Sequence, residues 1–308
     1  MGEEVLMERH NAVIINQDAC TGCGLCIRVC PTRSLSMVGG KARMTSFASI
    51  SCGHCEAVCP AGAVKVPVLD PSMRNFSSFT PKTEWIRPGT FDPAFLVQLM
   101  ASQRSCRNYT EQTVDRSVLE DLVKIGITAP SGTNCQHWTF TLLPDRASLR
   151  RFAELIVAFY RKLNAMAAKP VMRKGLKLIG KGELDAYYRQ HFKKVNDAMV
   201  EWEKTGRDLL FHGAAAAIIV GSRPGASCPA EDAMLATQNI LLGAHSLGLG
   251  TCLIGFASAA MQRDRSIQKA LGIPEEEGMH AVVAVGYPDE IYQRVTHRKT
   301  AVIRYSEG

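Results

Sequence analysis

The sequence predicts a chain of two unlike modules: a short unit of strands and turns punctuated by cysteines, then a larger domain of mixed helix and strand. Three observations carry this. Seven of the eleven cysteines fall between residues 20 and 59. From Ala94 onward the apolar residues take up helical and strand periods in turn. Between these regions, residues 69–93 hold Pro71, Pro81, Pro88 and Pro93 among several Ser and Thr, the composition of an extended linker. The expected boundaries are therefore 1–68, 69–93 and 94–308. A chain of 308 residues is long enough for two cores, and 46% hydrophobic with 21% charged residues is ordinary globular composition.

The elements of the second domain follow from caps and spacing. Asp115 is expected to cap a helix with Val118, Leu119, Leu122 and Val123 on one face. Asp145 precedes another, with Leu149, Phe152, Leu155, Ile156 and Phe159 at helical spacing. Ala233 to Leu247 reads as a largely buried helix that stops at Gly248. Strands are expected at Thr139–Leu143, Ala216–Gly221, Ala281–Gly286 and Thr300–Tyr305. Apart from a duplicated cysteine pattern, no internal repeat is visible.

Several function classes are disfavoured at this level. The longest apolar run, Ala214 to Val220, has the length of a buried strand and is far short of the roughly 20 residues that span a bilayer. The N-terminus carries Glu3, Glu4 and Glu8 and lacks the apolar stretch of a signal peptide. Clustered thiols belong in a reducing compartment, so a cytoplasmic protein is expected. The formal charge of +7 is uneven: residues 1–70 carry six Lys/Arg and six Asp/Glu, while residues 160–210 carry twelve Lys/Arg against six Asp/Glu. That segment is either a solvated helical face or a surface for an acidic partner or an anionic substrate. Aromatic residues are not interleaved with the basic ones as a nucleic-acid platform requires, so no nucleic-acid partner is expected.

Cys20, Cys23, Cys26 and Cys30, followed by Pro31, read C-x2-C-x2-C-x3-C-P. Cys52, Cys55 and Cys59, followed by Pro60, repeat the pattern with Ser49 at its first position. Two-residue gaps let one loop wrap three corners of an iron–sulfur cluster while the fourth cysteine points to another cluster. Zinc is the rival reading of C-x2-C pairs; seven cysteines, two Cys-Pro endings and the duplicated spacing speak against it. Residues 12 to 67 resemble the bacterial two-cluster ferredoxins. The resemblance implies one 4Fe–4S cluster on Cys20, Cys23, Cys26 and Cys59, and a second on Cys30, Cys52 and Cys55 with Ser49 at its fourth corner. Serine is a poorer soft-metal ligand than thiolate, so the second cluster is either 4Fe–4S or 3Fe–4S.

Four further signals lie downstream. Gln103-Arg104-Ser105-Cys106-Arg107 closes a helix, and its guanidinium and hydroxyl groups suit a phosphate and a ribityl chain. Taken alone it is as readily a solvated helix end. Ala129-Pro130-Ser131-Gly132-Thr133-Asn134-Cys135-Gln136-His137-Trp138 is a turn-rich loop whose two amides both donate and accept. Gly248 to Gly255 is a glycine-rich turn into a strand, where backbone can approach a flat ring. His297-Arg298-Lys299 is a basic triplet near the C-terminus.

In this order and spacing the four resemble the nitroreductase family of FMN enzymes, from about residue 94 to the C-terminus. The resemblance implies an α+β fold with a mainly antiparallel sheet flanked by helices, in an intertwined homodimer. The strand at Thr300–Tyr305 would pair with the partner's sheet. By position, Arg104, Ser105 and Arg107 match phosphate and ribityl contacts, and Asn134 a ring or ribityl contact with Ser131 and Gln136 beside it. Ile254 and Gly255 match the backbone facing the flavin ring, and Arg298 and Lys299 the C-terminal phosphate contacts. Gln103 and His137 depart from the residues common in the family, arginine and proline. Residues 156–205 form a helical insertion where the family covers its substrate; Tyr187, Tyr188, His191 and Phe192 there read more readily as helix packing than as site residues.

No Ser/His/Asp or paired-carboxylate arrangement is present, so no side chain is expected to be catalytic by itself. Cys106, Cys135, Cys228 and Cys252 read as small packing residues. The fusion implies an oxidoreductase in which a ferredoxin or flavodoxin fills the clusters, and the electrons pass to FMN and on to a nitroaromatic, a quinone or a similar electron-poor compound. Two alternatives stay open: an electron-transfer or redox-sensing protein acting on a protein partner, and NAD(P)H oxidation with electrons leaving through the clusters. The absence of a Gly-x-Gly-x-x-Gly unit does not decide against NAD(P)H.

Overall fold

The computed structural model describes residues 12–306, so Glu3, Glu4 and Glu8 lie outside the described residues. The chain divides into two compact units. One runs to residue 81 and includes residues 130–136 and 226–228; the other holds residues 82–129, 137–225 and the chain from 229 onward.

The first unit repeats one design twice. Helix α1 (Leu25–Arg28) and helix α2 (His54–Ala57) are single turns, each entered through a glycine with left-handed backbone, Gly24 at φ 72° and Gly53 at φ 75°. An L side chain is strained there, which is why each cysteine loop places glycine just before its turn. Each turn buries one cysteine, Cys26 in α1 and Cys55 in α2. Around them are two small antiparallel ladders. Strand β1 (Ile14–Ile15) pairs with β4 (Val64–Lys65), and β2 (Leu35–Val38) forms a hairpin with β3 (Lys41–Met44). The hairpin turns through Gly39 and Gly40, both at positive φ, as a two-residue turn of that hand requires. Val13, Leu35, Ala42, Val64 and Val66 complete the small core. The proline-rich segment departs from a purely extended course at Pro71–Arg74, a short 3-10 turn held by the Asp70 carboxylate on the Ser72 N–H.

The second unit is a four-stranded antiparallel sheet between two helical layers. Strands β5 (Trp138–Leu143), β6 (Ala216–Ser222), β7 (Gly250–Leu253) and β8 (Gly278–Gly286) lie in the order β5-β6-β8-β7. Every residue of β6 is buried, and its side chains alternate between two cores. Ala217 and Ile219 face one with Phe152, Ile156, Phe211 and Met261; Ala216, Ile218 and Val220 face the other with Leu119, Leu122 and Ile240. That alternation is the strand period acting on a sheet covered on both faces. The covering helices are α4 (Arg116–Gly126), α5 (Arg146–Ala167), α9 (Pro229–Ser246) and α10 (Gly255–Arg263). Asp145 caps α5 in a reciprocal box: its carboxylate accepts the Ser148 N–H at 2.7 Å, and the Ser148 hydroxyl faces the Asp145 N–H at 3.3 Å. Asp115 stands at the N-cap position of α4 without a side-chain hydrogen bond.

The mixed α+β reading holds, with adjustments. Helix α9 begins a turn before Ala233, because Pro229 suits a first helical position and Glu231 and Asp232 suit the positive end of the helix. Strand β8 starts at Gly278 and passes a bulge opposite Val220 and Gly221. Residues 300–306, where a strand on a partner's sheet is expected, carry no regular structure in the single chain, and Val302, Ile303 and Tyr305 are exposed. A strand needs a ladder partner, and this segment has none within its own chain.

The insertion is helical throughout. After α5 come α6 (Pro170–Leu178) and α7 (Glu183–Tyr187), a π turn at Tyr188–Phe192, and α8 (Lys193–Thr205). Helix α3 (Pro93–Ser102) precedes the sheet; it is capped by Asp92 on the Ala94 N–H and leaves Phe95, Leu96, Val97 and Met100 exposed.

Candidate functional site

In the first unit the cysteines group in two sets. Cys20, Cys23 and Cys26 lie close enough for their charges to act on one another, and so do Cys30, Cys52 and Cys55. The second set lines a small cavity together with Ser49 and His54. No cysteine of the chain is in a disulfide. Backbone N–H groups point at the sulfurs: Ser34 donates to Cys30 Sγ and Ala63 to Cys59 Sγ, each at 3.3 Å. Hydrogen bonds from the Ala42 and Gly22 backbone hold the Cys20 thiol below its ordinary range. Burial pushes the Cys55 thiol up to about 11. Soft donors with N–H groups aimed at them fit an iron–sulfur cluster, and coordination by iron removes the proton that burial would otherwise retain. Ser49 keeps its place on the cavity, but its hydroxyl accepts the Ser51 N–H at 3.2 Å. His54 Nδ1 lies 2.9 Å from Cys52 Sγ.

The loop of Ser131, Asn134 and Gln136 belongs to this first unit. Thr133, Asn134 and Gln136 all have left-handed backbone, with φ between 50° and 55°. Ser131 Oγ accepts the Gln136 N–H at 3.0 Å. The Asn134 amide donates to both the Ile50 and the Ser51 carbonyls at 3.1 Å. In this structure that amide is committed to the loop between Ser49 and Cys52, a link that no spacing in the sequence indicates.

The second unit carries the basic cradle. Arg104, Ser105, Arg107 and Arg298 line a cavity of about 300 Å³ with Gln103 and Tyr292. The segment is fixed against β7: the Cys106 N–H donates to the Thr251 carbonyl at 2.8 Å, and Gln103 Nε2 to Thr251 Oγ1 at 3.4 Å. A Cβ at Gly250 would lie 2.7 Å from that of Cys106, so glycine is required for this approach. Lys299 is exposed and is not among the lining residues. Cys106 and Cys252 are buried packing groups, the first with its thiol pushed up to about 11 by burial, whereas Cys228 is exposed.

Arg107 also lines a second, larger cavity of about 1020 Å³ bounded by Ile254 and Gly255. Its wall is aromatic. The Tyr160 and Tyr187 rings stack with centroids 6.3 Å apart, and Phe256 meets Tyr160 and His191 edge-on at 5.7 Å. The two tyrosine hydroxyls are occupied, Tyr160 donating to the Phe256 carbonyl at 2.9 Å and Tyr187 to Asn164 Oδ1 at 2.7 Å. Burial raises both phenols, Tyr160 to about 12. Tyr187 and His191 thus prove to be cavity residues, while Tyr188 and Phe192 pack on each other with centroids 4.8 Å apart. Also unanticipated are Lys181, Lys194 and Arg263. The one signal in the sequence was the excess of basic residues over 160–210.

Comparison with known proteins matches two domain families along the chain. The profile of the Nitroreductase family matches residues 100–287, and that of a 4Fe-4S dicluster domain matches residues 12–60. An iodotyrosine deiodinase of Thermotoga neapolitana is 24% identical over 221 residues, 68% of this chain and 97% of that protein. An NADH dehydrogenase of Thermus thermophilus is 25% identical over 188 residues, 61% of this chain and 84% of that one. Among solved structures, a nitroreductase with bound FMN from Bacteroides fragilis superposes with a TM-score of 0.50 at 20% identity, covering 68% of this chain and 98% of its own.

Proposed function

The chain belongs to the nitroreductase family and carries a 4Fe–4S dicluster domain before it; from that premise we propose an FMN-dependent oxidoreductase that reduces an electron-poor organic compound with electrons entering through the cysteine module. The observation that carries the flavin site is Arg107, which lines both the small basic cavity and the large aromatic one. Three guanidinium groups and a hydroxyl fit a phosphate dianion, and forked donors orient it as well as neutralise it. The backbone at Ile254 and Gly255 leaves a planar ring room in the larger cavity. FMN, when bound, supplies exchange between one-electron and two-electron chemistry, which no side chain here provides. The protein's own part is binding, orientation and exclusion of water.

In the module, Cys20, Cys23, Cys26 and Cys59 are the proposed ligands of one cluster, and Cys30, Cys52 and Cys55 of the other. Ser49 is the proposed fourth corner of a four-iron cluster, since it lines the cavity of the second set. Ser49→Cys should then make the two clusters alike in electron paramagnetic resonance and equally resistant to oxygen. Two indistinguishable four-iron signals already present in the wild type, and unchanged by the substitution, would remove Ser49 from that role. A homodimer, a reducing cytoplasmic location and a small ferredoxin or flavodoxin as donor complete the proposal, with NAD(P)H as the competing donor.

The function is tested by anaerobic reduction. Reduced ferredoxin, NADH and NADPH are offered in turn to the whole protein and to a variant lacking Cys20 and Cys52. Ferredoxin should reduce the flavin of the whole chain and fail with the variant. Equal rates in the two would refute entry through the clusters. Zinc in place of iron, with no acid-labile sulfide, would refute the module's role altogether.

A further inference from the structure

The large cavity of the second unit has a charge pattern that redox chemistry at a flavin does not explain. Beyond Arg107, assigned above to the flavin phosphate, three permanent cations line it, Lys181, Lys194 and Arg263, against a single carboxylate, Glu183. Among the described residues, none of the three has an acidic partner within ion-pair distance. Elsewhere in residues 160–210 five cations are paired, whereas Lys162, Lys169, Lys174, Lys204 and Arg207 make no ion pair among the described residues. Arg173, Lys177 and Arg189 surround Asp185, Arg161 meets Glu203 at 2.7 Å, and Lys193 meets Asp197 at 2.7 Å. The positive excess of residues 160–210 is thus neutralised only in part, and at the cavity it faces a single carboxylate.

The wall of the same cavity selects the rest of the ligand. Its rings offer faces and edges to a flat body. Its two tyrosine hydroxyls already donate to protein acceptors, so their protons are not available to an anion. An anion is therefore left to the cations, which act more strongly beside a low-dielectric wall than in open water.

Resting on the flavin site proposed above, we propose that the compound bound in this cavity is a small anionic aromatic: a planar ring bearing a carboxylate or phosphate, held against the aromatic wall of Tyr160, Tyr187 and Phe256 with its charge toward Lys181 and Lys194. A nicotinamide dinucleotide, whose phosphates offer similar charge on a much larger body, is the competing occupant.

Calorimetric titration of the full-length protein with para-nitrobenzoate, its neutral counterpart para-nitrobenzamide, and NADP⁺ decides the matter. The benzoate should bind about ten-fold more tightly than the amide, the worth of one charge-assisted contact. That preference should collapse in about 0.5 M salt, where screening is short-ranged. It should also collapse in the double variant Lys181→Gln, Lys194→Gln, with the affinity for the amide little changed. Equal binding of acid and amide, or no binding of either, overturns the inference. NADP⁺ binding that depends on the two lysines, without a preference for the benzoate, overturns it in favour of a dinucleotide. The flavin content of the same sample separates the two proposals: full FMN without the preference defeats this inference alone, whereas absent FMN defeats the flavin reading and leaves the calorimetric preference to be read independently.

Discussion

The two compact units are held together by different physics. The cysteine module has a core of five small apolar side chains and two buried thiols, and its longest strands have four residues. The sheet unit buries every residue of its second strand and packs both faces under helices. Small cores rarely suffice without a disulfide or a metal, and this module has no disulfide. The comparison predicts that the module draws its stability from what its cysteines bind, and the sheet unit from burial.

The largest expected effect tests that contrast. Iron removal under anaerobic chelation should abolish protease resistance within residues 12–68 and leave the sheet unit resistant; limited proteolysis followed by mass spectrometry reads both. A module that stays resistant without metal would place its stability in its own core. The converse perturbation is Ile218→Ala in the fully buried β6, which should cost the sheet unit about 3–4 kcal/mol by opening a cavity. Its denaturant midpoint should fall while the iron–sulfur absorbance persists to the same concentration as in the wild type.

A smaller effect belongs to the proposed phosphate cradle. Arg104→Ala and Arg298→Ala should each weaken FMN binding by about 2 kcal/mol, roughly thirty-fold, through one lost charge-assisted contact. Fluorescence of released flavin measures it, and an unchanged dissociation constant would remove the residue from the site. The smallest effect is also the most discriminating. Asn134→Ala removes two hydrogen bonds to the Ile50 and Ser51 carbonyls, worth about 1–2 kcal/mol locally. If its role is to hold the loop between Ser49 and Cys52, the signal of the second cluster should change shape and FMN affinity should not. The opposite result returns Asn134 to the flavin. Deleting residues 1–70 is a poorer test of the same question, because residues 130–136 and 226–228 group with the module and would lose their partners.

What the sequence revealed follows the range of the forces involved. Asp145, Gly248 and the cysteine spacings act over a few residues, so each could be read from its neighbours. The alternation along Ala216–Ser222 was equally plain. Arg104 and Arg298 line one cavity although 194 positions separate them, and only resemblance to a family put them together. The strand expected at Thr300–Tyr305 depends on a partner's sheet, which β-like composition within one chain does not supply. Tyr187 and His191 were legible as apolar helix residues but not as cavity residues, because a helix face does not say what it meets. Lys181 and Lys194 looked like the rest of a basic segment; only the fold shows that these two line the cavity.

The π turn at Tyr188–Phe192 makes this insertion tolerant of length in a particular way. Such a turn accommodates one residue more than an α-helical turn. Loss of one residue there would restore the ordinary winding and leave α8 on its present faces, with Val195 in the core it shares with Phe152 and Ile156 and Lys194 on the cavity. Straightening the turn without a deletion would instead rotate everything after it by about 100°. The turn is thus a place where the chain absorbs one residue while the sheet, the cavity and α8 keep their register.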